Sequence, residues 1–194
     1  MISPVLIIWA FLSVLVSGLT TYAFVQPVWL VGADVLDTFG IISVCFSRTV
    51  FPGGGLKQEC EFYGGYFNLG NLPSSAWQAS CVLYGGGCVL LSCGAFLAVC
   101  TSCIPCDVVK TVTVMAGYVQ FVAVLVMIAG LFIYPLGFGS TFIRHYCGSR
   151  SVMYHAYDCS MGWSFVLAVT GTCLAMFCPV LSRFTDMKAS EIMM

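Results

Sequence analysis

The groups here with the most chemical potential are thiols: twelve cysteines in 194 residues, against two histidines. Cys100-x-x-Cys103-x-x-Cys106 has a spacing that could hold a metal ion or an iron–sulfur cluster. A fourth ligand is hard to place, because Cys93 falls inside an apolar run. The alternatives are lipidation beside a membrane span, or free thiols serving as small apolar residues. His145-x-Cys147 and His155-x-x-x-Cys159 mimic zinc-ligand spacing. In an oxidising compartment those two cysteines pair instead, and the histidines are exposed polar groups. No other catalytic set stands out. Two histidines and eight carboxylates, none clustered at membrane depth, offer no base–nucleophile pair. The expectation is a protein that is not an enzyme, with no cofactor and no small-molecule substrate.

The elements that carry these residues are set by where charge is missing. The chain is 60% hydrophobic and 8% charged, whereas soluble domains carry about 25% charged residues. No Asp, Glu, Lys or Arg occurs in 1–33, 62–106, 111–143 or 159–182. Each gap exceeds the ~20 residues that a helix needs to cross a bilayer. We therefore expect a single tetraspan domain covering 1–194. Its spans fall near 2–25, 76–99, 111–134 and 162–181, with loops at 26–75 and 135–161, a tight link at 100–110 and a tail at 182–194. Net charge is −1 and the basic residues are scattered, which gives no case for nucleic acid. The spans hold no Asp, Glu, Lys, Arg or His, which argues against a pump, voltage sensor or proton-coupled carrier.

Sidedness rests on cysteine more than on charge. Arg48, Lys57, Arg144 and Arg150 lie on one side, against Lys110, Arg183 and Lys188 on the other, so the positive-inside rule does not decide. Cys45, Cys60, Cys147 and Cys159 sit in the two longer loops, and an even count there reads as two disulfides in an oxidising space. Cys100, Cys103 and Cys106 sit where span 2 leaves the membrane and are the lipidation candidates on the reducing side. Both clues put the long loops outside and both termini in the cytosol.

Within the spans, Ser13, Ser17 and Thr21 are expected to form a narrow face for helix contact. Trp29, just beyond Pro27, is expected at the lipid boundary. Gln120 lies at mid-depth and needs a partner, either a facing helix of this chain or another protein. In the first loop Phe39–Phe46 reads as a strand, 52–55 as a Gly-rich turn, and Leu56–Tyr63 as a second strand returning Cys60 toward Cys45. Tyr66–Leu69 is a possible third strand. Val50-Phe51-Pro52 is apolar at a hairpin tip and is a candidate partner contact.

Four pieces carry a resemblance. They are Gln26-Pro27-Val28-Trp29-Leu30; Gly40 five residues before Cys45; Pro73-Ser74-Ser75-Ala76-Trp77; and Gln120 followed by Tyr134-Pro135-Leu136-Gly137. Cys147-Gly148 and Cys159-Ser160-Met161-Gly162-Trp163 continue it. In this order they resemble the lipoma HMGIC fusion partner-like (LHFPL) tetraspans, within the wider claudin-like fold. Ile41 and Ile42 stand where claudins have Leu-Trp, so the likeness is to LHFPL proteins rather than to claudins proper. The resemblance implies a left-handed four-helix transmembrane bundle with a small extracellular antiparallel sheet. It implies disulfides Cys45–Cys60 and Cys147–Cys159, with Trp29, Gly40, Trp77 and Trp163 as fold signature. It also implies an accessory subunit of a channel, receptor or adhesion complex at the plasma membrane. The alternative expectation is claudin-like cell–cell adhesion or barrier formation.

Overall fold

The computed structural model describes residues 4–32, 37–49, 56–101 and 106–192. Four helical segments are long and apolar enough to cross a membrane: Pro4–Val25, Ser75–Cys100, Val109–Gly139 and Trp163–Thr185. The first is α1 (Pro4–Val25) and the second α2 (Ser75–Cys100). The third is α3 (Cys106–Ile133) with a 3-10 turn over Tyr134–Gly139. The short α4 (Thr141–Tyr146) lies in the second loop. The fourth span is α5 (Trp163–Ala175) with the first part of α6 (Phe177–Ile192). They close a ring in which α1 packs on α2 and α5, α2 on α3, and α3 on α6.

Start and stop signals are local. Ser74 Oγ accepts from the Trp77 amide at 3.2 Å and so caps α2. Pro179 has no N–H to give the Ala175 carbonyl, and the fourth span breaks between α5 and α6 at Met176. Helix then continues to Ile192, past the expected end near residue 181.

Because lipid is as apolar as leucine, small and polar residues mark the inward faces. On α1 the buried positions include Trp9, Ser13, Ser17 and Thr20. Thr21, expected on this face, is exposed, because at 3.6 residues per turn the stripe steps from 17 to 20. Ser17 and Ser92 share a hydrogen bond at 2.8 Å between α1 and α2. Deeper in, Trp9 Nε1 donates to Gln120 Oε1 at 3.1 Å, and Gln120 Nε2 donates to Ser13 Oγ at 2.8 Å. Gln120 is fully enclosed. Its candidacy as a partner contact is therefore corrected: its amide is held by α1 and cannot reach another protein.

The outer sheet has five strands in the order β4-β3-β2-β1-β5. They are β1 (Leu30–Val31), β2 (Thr38–Phe39), β3 (Ser43–Thr49), β4 (Leu56–Phe62) and β5 (Ser160–Met161), all paired antiparallel. The single strand expected over Phe39–Phe46 is two, folded at Gly40, whose amide donates to Ser43 O at 2.8 Å. A Cβ at Gly40 would stand 2.8 Å from Pro27 Cα, so only glycine lets the fold lie on the end of α1. Tyr66–Leu69 forms no strand; the chain there leads into a 3-10 turn, Leu69–Asn71.

We expect Gln120→Leu to cost about 1–2 kcal/mol, since it strands the Trp9 N–H in hydrocarbon. Thermal unfolding of the purified protein in detergent checks this, with a smaller loss for Ser13→Ala. An unshifted midpoint for Gln120→Leu would remove the network from the account of stability.

Candidate partner interface

The sheet layer is mounted through one indole. Trp29 comes four residues after Val25, the last of α1, and its Nε1 donates to the Ala23 carbonyl at 2.7 Å, one of the orphan acceptors at the helix end. Its ring meets Tyr84 at 5.4 Å, Tyr134 at 5.1 Å and Phe165 at 5.7 Å, so α1, α2, α3 and α5 converge there. Trp77 stacks on Tyr134 at 5.1 Å and donates to its carbonyl at 3.2 Å. Trp29 and Trp77 are fully buried. Trp29, expected at the lipid boundary, lies at the junction of bundle and sheet and is enclosed there by protein. Trp163 behaves differently: it is half-exposed beside Tyr22, as an interfacial Trp would be.

The sheet is laced to this joint by main-chain bonds. Gly162 N donates to Trp29 O at 2.8 Å and Ser164 N to Val28 O at 3.1 Å. A Cβ on Gly162 would collide with the Val28 carbonyl, so glycine is required for β5 to reach β1. That contact makes one sheet of two loops far apart in sequence. Tyr63 packs on Trp77 and Phe142, and its hydroxyl donates to Gly40 O at 3.0 Å. Burial, with the Tyr134 phenol nearby, pushes the Tyr63 phenol well above its ordinary range.

Two disulfides brace this layer. Cys45 and Cys60 are directly opposed on β3 and β4 and are bonded. Cys147, at the end of α4, is bonded to Cys159, just before β5. Both loop-two sulfurs are consumed, so the His145-x-Cys147 and His155-x-x-x-Cys159 spacings have no thiolate to offer zinc. His145 instead meets the Tyr146 ring edge-on at 5.0 Å, and His155 lies near Tyr157. Ser151 Oγ donates to Cys147 O, and Arg144 Nε to Ser151 O, which folds the second loop onto α4. Of the Cys-rich link, Cys100 is half-buried at the end of α2. Cys103 lies outside the described residues, and only the backbone of Cys106, the first residue of α3, is described. No group of three or more metal-binding side chains occurs among the described residues.

Among the described residues the surface left over is apolar at Val152, Met153, Tyr154 and Tyr157 of the second loop, and at a first-loop site that sequence reasoning missed. At the end of β4, the outermost strand, Phe62 is 42% exposed, and just beyond it Tyr66 is 63%, Phe67 55% and Leu69 41% exposed. The Phe62 and Phe67 rings meet at 6.1 Å and form a ledge between the sheet and the start of α2. The available signal was four aromatics within 62–67, Phe62, Tyr63, Tyr66 and Phe67, broken by Gly64-Gly65 with no alternation to bury them all. The expected contact Val50-Phe51-Pro52 lies outside the described residues.

The profile of the family described as lipoma HMGIC fusion partner-like protein matches residues 5–183. The chain belongs to that family. An LHFPL tetraspan subfamily member 2a protein of Danio rerio is 30% identical, covering 95% of this chain and 88% of its own. A Homo sapiens member 2 protein is 29% identical over the same shares. A Xenopus tropicalis member 7 protein is 30% identical, covering 91% of this chain and 88% of its own. The family match takes in all four spans and both disulfides, and this LHFPL chain is a multi-pass membrane protein of the claudin-like helical fold.

Replacing Cys45 and Cys60 together by Ser should loosen β3 and β4. A bridge closing ~15 residues contributes on the order of 3 kcal/mol in the chain-entropy model, so amide exchange there should quicken at least about tenfold while α2 and α3 keep their protection. The Tyr63 phenol is harder to ionise folded than unfolded, so its contribution is complete below about pH 10 and falls as pH rises further. An alkaline titration followed by tyrosinate absorbance should show an ectodomain transition that Tyr63→Phe weakens.

Proposed function

We propose that this protein is a non-enzymatic accessory subunit, which binds an integral membrane channel, receptor or adhesion protein and favours one of its states or its assembly. The observation that carries this reading is the aromatic ledge Phe62–Tyr66–Phe67–Leu69, large apolar side chains left in the open on a doubly bridged, rigid ectodomain. Exposed Phe and Tyr held on a fixed frame lose little freedom on binding, which suits them as anchors. The ledge precedes α2 by a few residues, so the partner surface it fits is membrane-proximal. Differential affinity is essential: a subunit that bound every partner state equally would shift no equilibrium.

In this reading the sheet is extracellular, both termini are cytosolic and the protein resides in the plasma membrane. Disulfides in both outer segments support that orientation. Cys100, Cys103 and Cys106 then lie at the cytosolic face, within reach of acylating enzymes. Val50, Phe51 and Pro52 stay candidates for a second contact at the distal hairpin.

The test is the double variant Phe67→Asp with Tyr66→Ser, purified from its native membrane in mild detergent. Its associated membrane proteins, quantified by mass spectrometry, should fall at least about fivefold while surface delivery is unchanged. Undiminished association with a folded, surface-exposed variant would remove the ledge as the grip. Enrichment at contacts between cells that express only this protein, lost in the same variant, would favour adhesion instead.

A further inference from the structure

A groove of about 680 Å³ runs along the lipid face between α3 and α6. Its walls include Phe121 and Leu125 from α3 and Met176, Pro179 and Val180 from the fourth span, with Gly117 among its lining. The groove spans the α5–α6 break at Met176 and Pro179 one turn beyond it, and nearer its Arg183 end Gly117 of α3 lies against Ser182 of α6. The apolar walls suit an acyl chain. At one end the polarity changes abruptly. Arg183 lies there, its guanidinium 5.0 Å from the Tyr118 ring centroid and donating to Tyr118 Oη at 2.9 Å.

The depth of Arg183 fits a headgroup. It follows Trp163 by twenty positions, about 30 Å of helix, which is the thickness of the hydrocarbon layer. With Trp163 at one lipid boundary, Arg183 stands at the other. Among the described residues no carboxylate pairs with it; it donates to the phenol oxygen of Tyr118. Farther along α6 the sequence carries Asp186, Lys188 and Glu191. A cation held by a ring at the acyl–headgroup boundary, above an apolar trough, is a complementary arrangement for a phosphodiester with its own tail.

We propose that this groove is a binding site for an anionic phospholipid, with an acyl chain between α3 and α6 and the headgroup on Arg183. The site lies at the opposite membrane face from the sheet and is independent of the partner contact proposed above. It joins α3 to α6 through the ligand, so occupancy would brace the broken fourth span.

The intact protein would be reconstituted in nanodiscs of equimolar phosphatidylcholine and phosphatidylserine and released for native mass spectrometry. Such discs are alike on both faces, so the result does not depend on orientation in the cell. The unaltered protein should retain phosphatidylserine at least about fivefold over phosphatidylcholine. Arg183→Gln should abolish the preference, and Val180→Trp should reduce retention of both lipids by filling the trough. Arg150→Gln, which removes a distant ectodomain cation, should change neither. Equal retention of the two lipids by the unaltered protein overturns the proposal, as does a preference that survives Arg183→Gln or falls equally with Arg150→Gln. Unchanged retention in a folded Val180→Trp protein overturns the groove as the place of the chain.

Discussion

The enclosed indole of Trp29 is the joint between two layers that different solvents would otherwise pull apart. Below it lies a bundle in hydrocarbon, above it a sheet in water. At the end of α1 the carbonyls have no helical partner, and the Trp29 N–H satisfies that of Ala23. The same ring is gripped edge-on by Tyr84, Tyr134 and Phe165, so the directions of three other helical segments are tied to the exit of the first. The Trp29 main chain then accepts from Gly162 and sets the register of β1 against β5. One residue thus couples helix packing to sheet pairing.

Beneath the joint, cohesion cannot come from hiding apolar surface, since lipid offers an equally apolar environment. It comes from close packing and from polar groups whose alternative is to go unpaired. Gly87 lies against Met127 and Ala123, Gly94 against Gln120, and Gly130 against Tyr84, so α2 and α3 approach closely. Trp9, Ser13 and Gln120 add a directional clasp between α1 and α3 across the bundle. Ser80 Oγ on α2 donates to the Gly130 carbonyl on α3. Such contacts fix rotation and height as well as distance, and a precise mount is what an ectodomain of five short strands requires.

The sheet itself is too small to be stable on a core of its own. It borrows one: Phe39, Tyr63, Phe142 and Trp77 form a continuous aromatic layer between strands, α4 and the bundle. The disulfides then limit what the two loops can do when detached. A rigid layer can leave Phe62, Tyr66 and Phe67 in the open without collapsing onto them. At the other membrane face the Pro179 break leaves a trough and a ring-held arginine. The two features have opposite character, aromatic at one membrane face and cationic at the other.

The existence of four spans, the outer cysteines and the first hairpin was legible from the chain because their causes are local. A bilayer tolerates few charges, so the gaps ending at Asp34, Asp107, Arg144 and Arg183 are written directly into the order of residues. Glycine and proline mark turns wherever the chain goes. Several things became definite only in three dimensions. Thr20 rather than Thr21 faces inward, Gln120 is clasped rather than offered, and Trp29 is enclosed by protein. The two-residue strands β1 and β5 carry no periodicity at all; their pairing exists because Gly162 can touch Val28. The physical reason is shared. In water, burial and exposure demand different residue types, and sequence records the choice. In lipid, an apolar side chain suits either side of a helix, so only the packed assembly decides which neighbours it has.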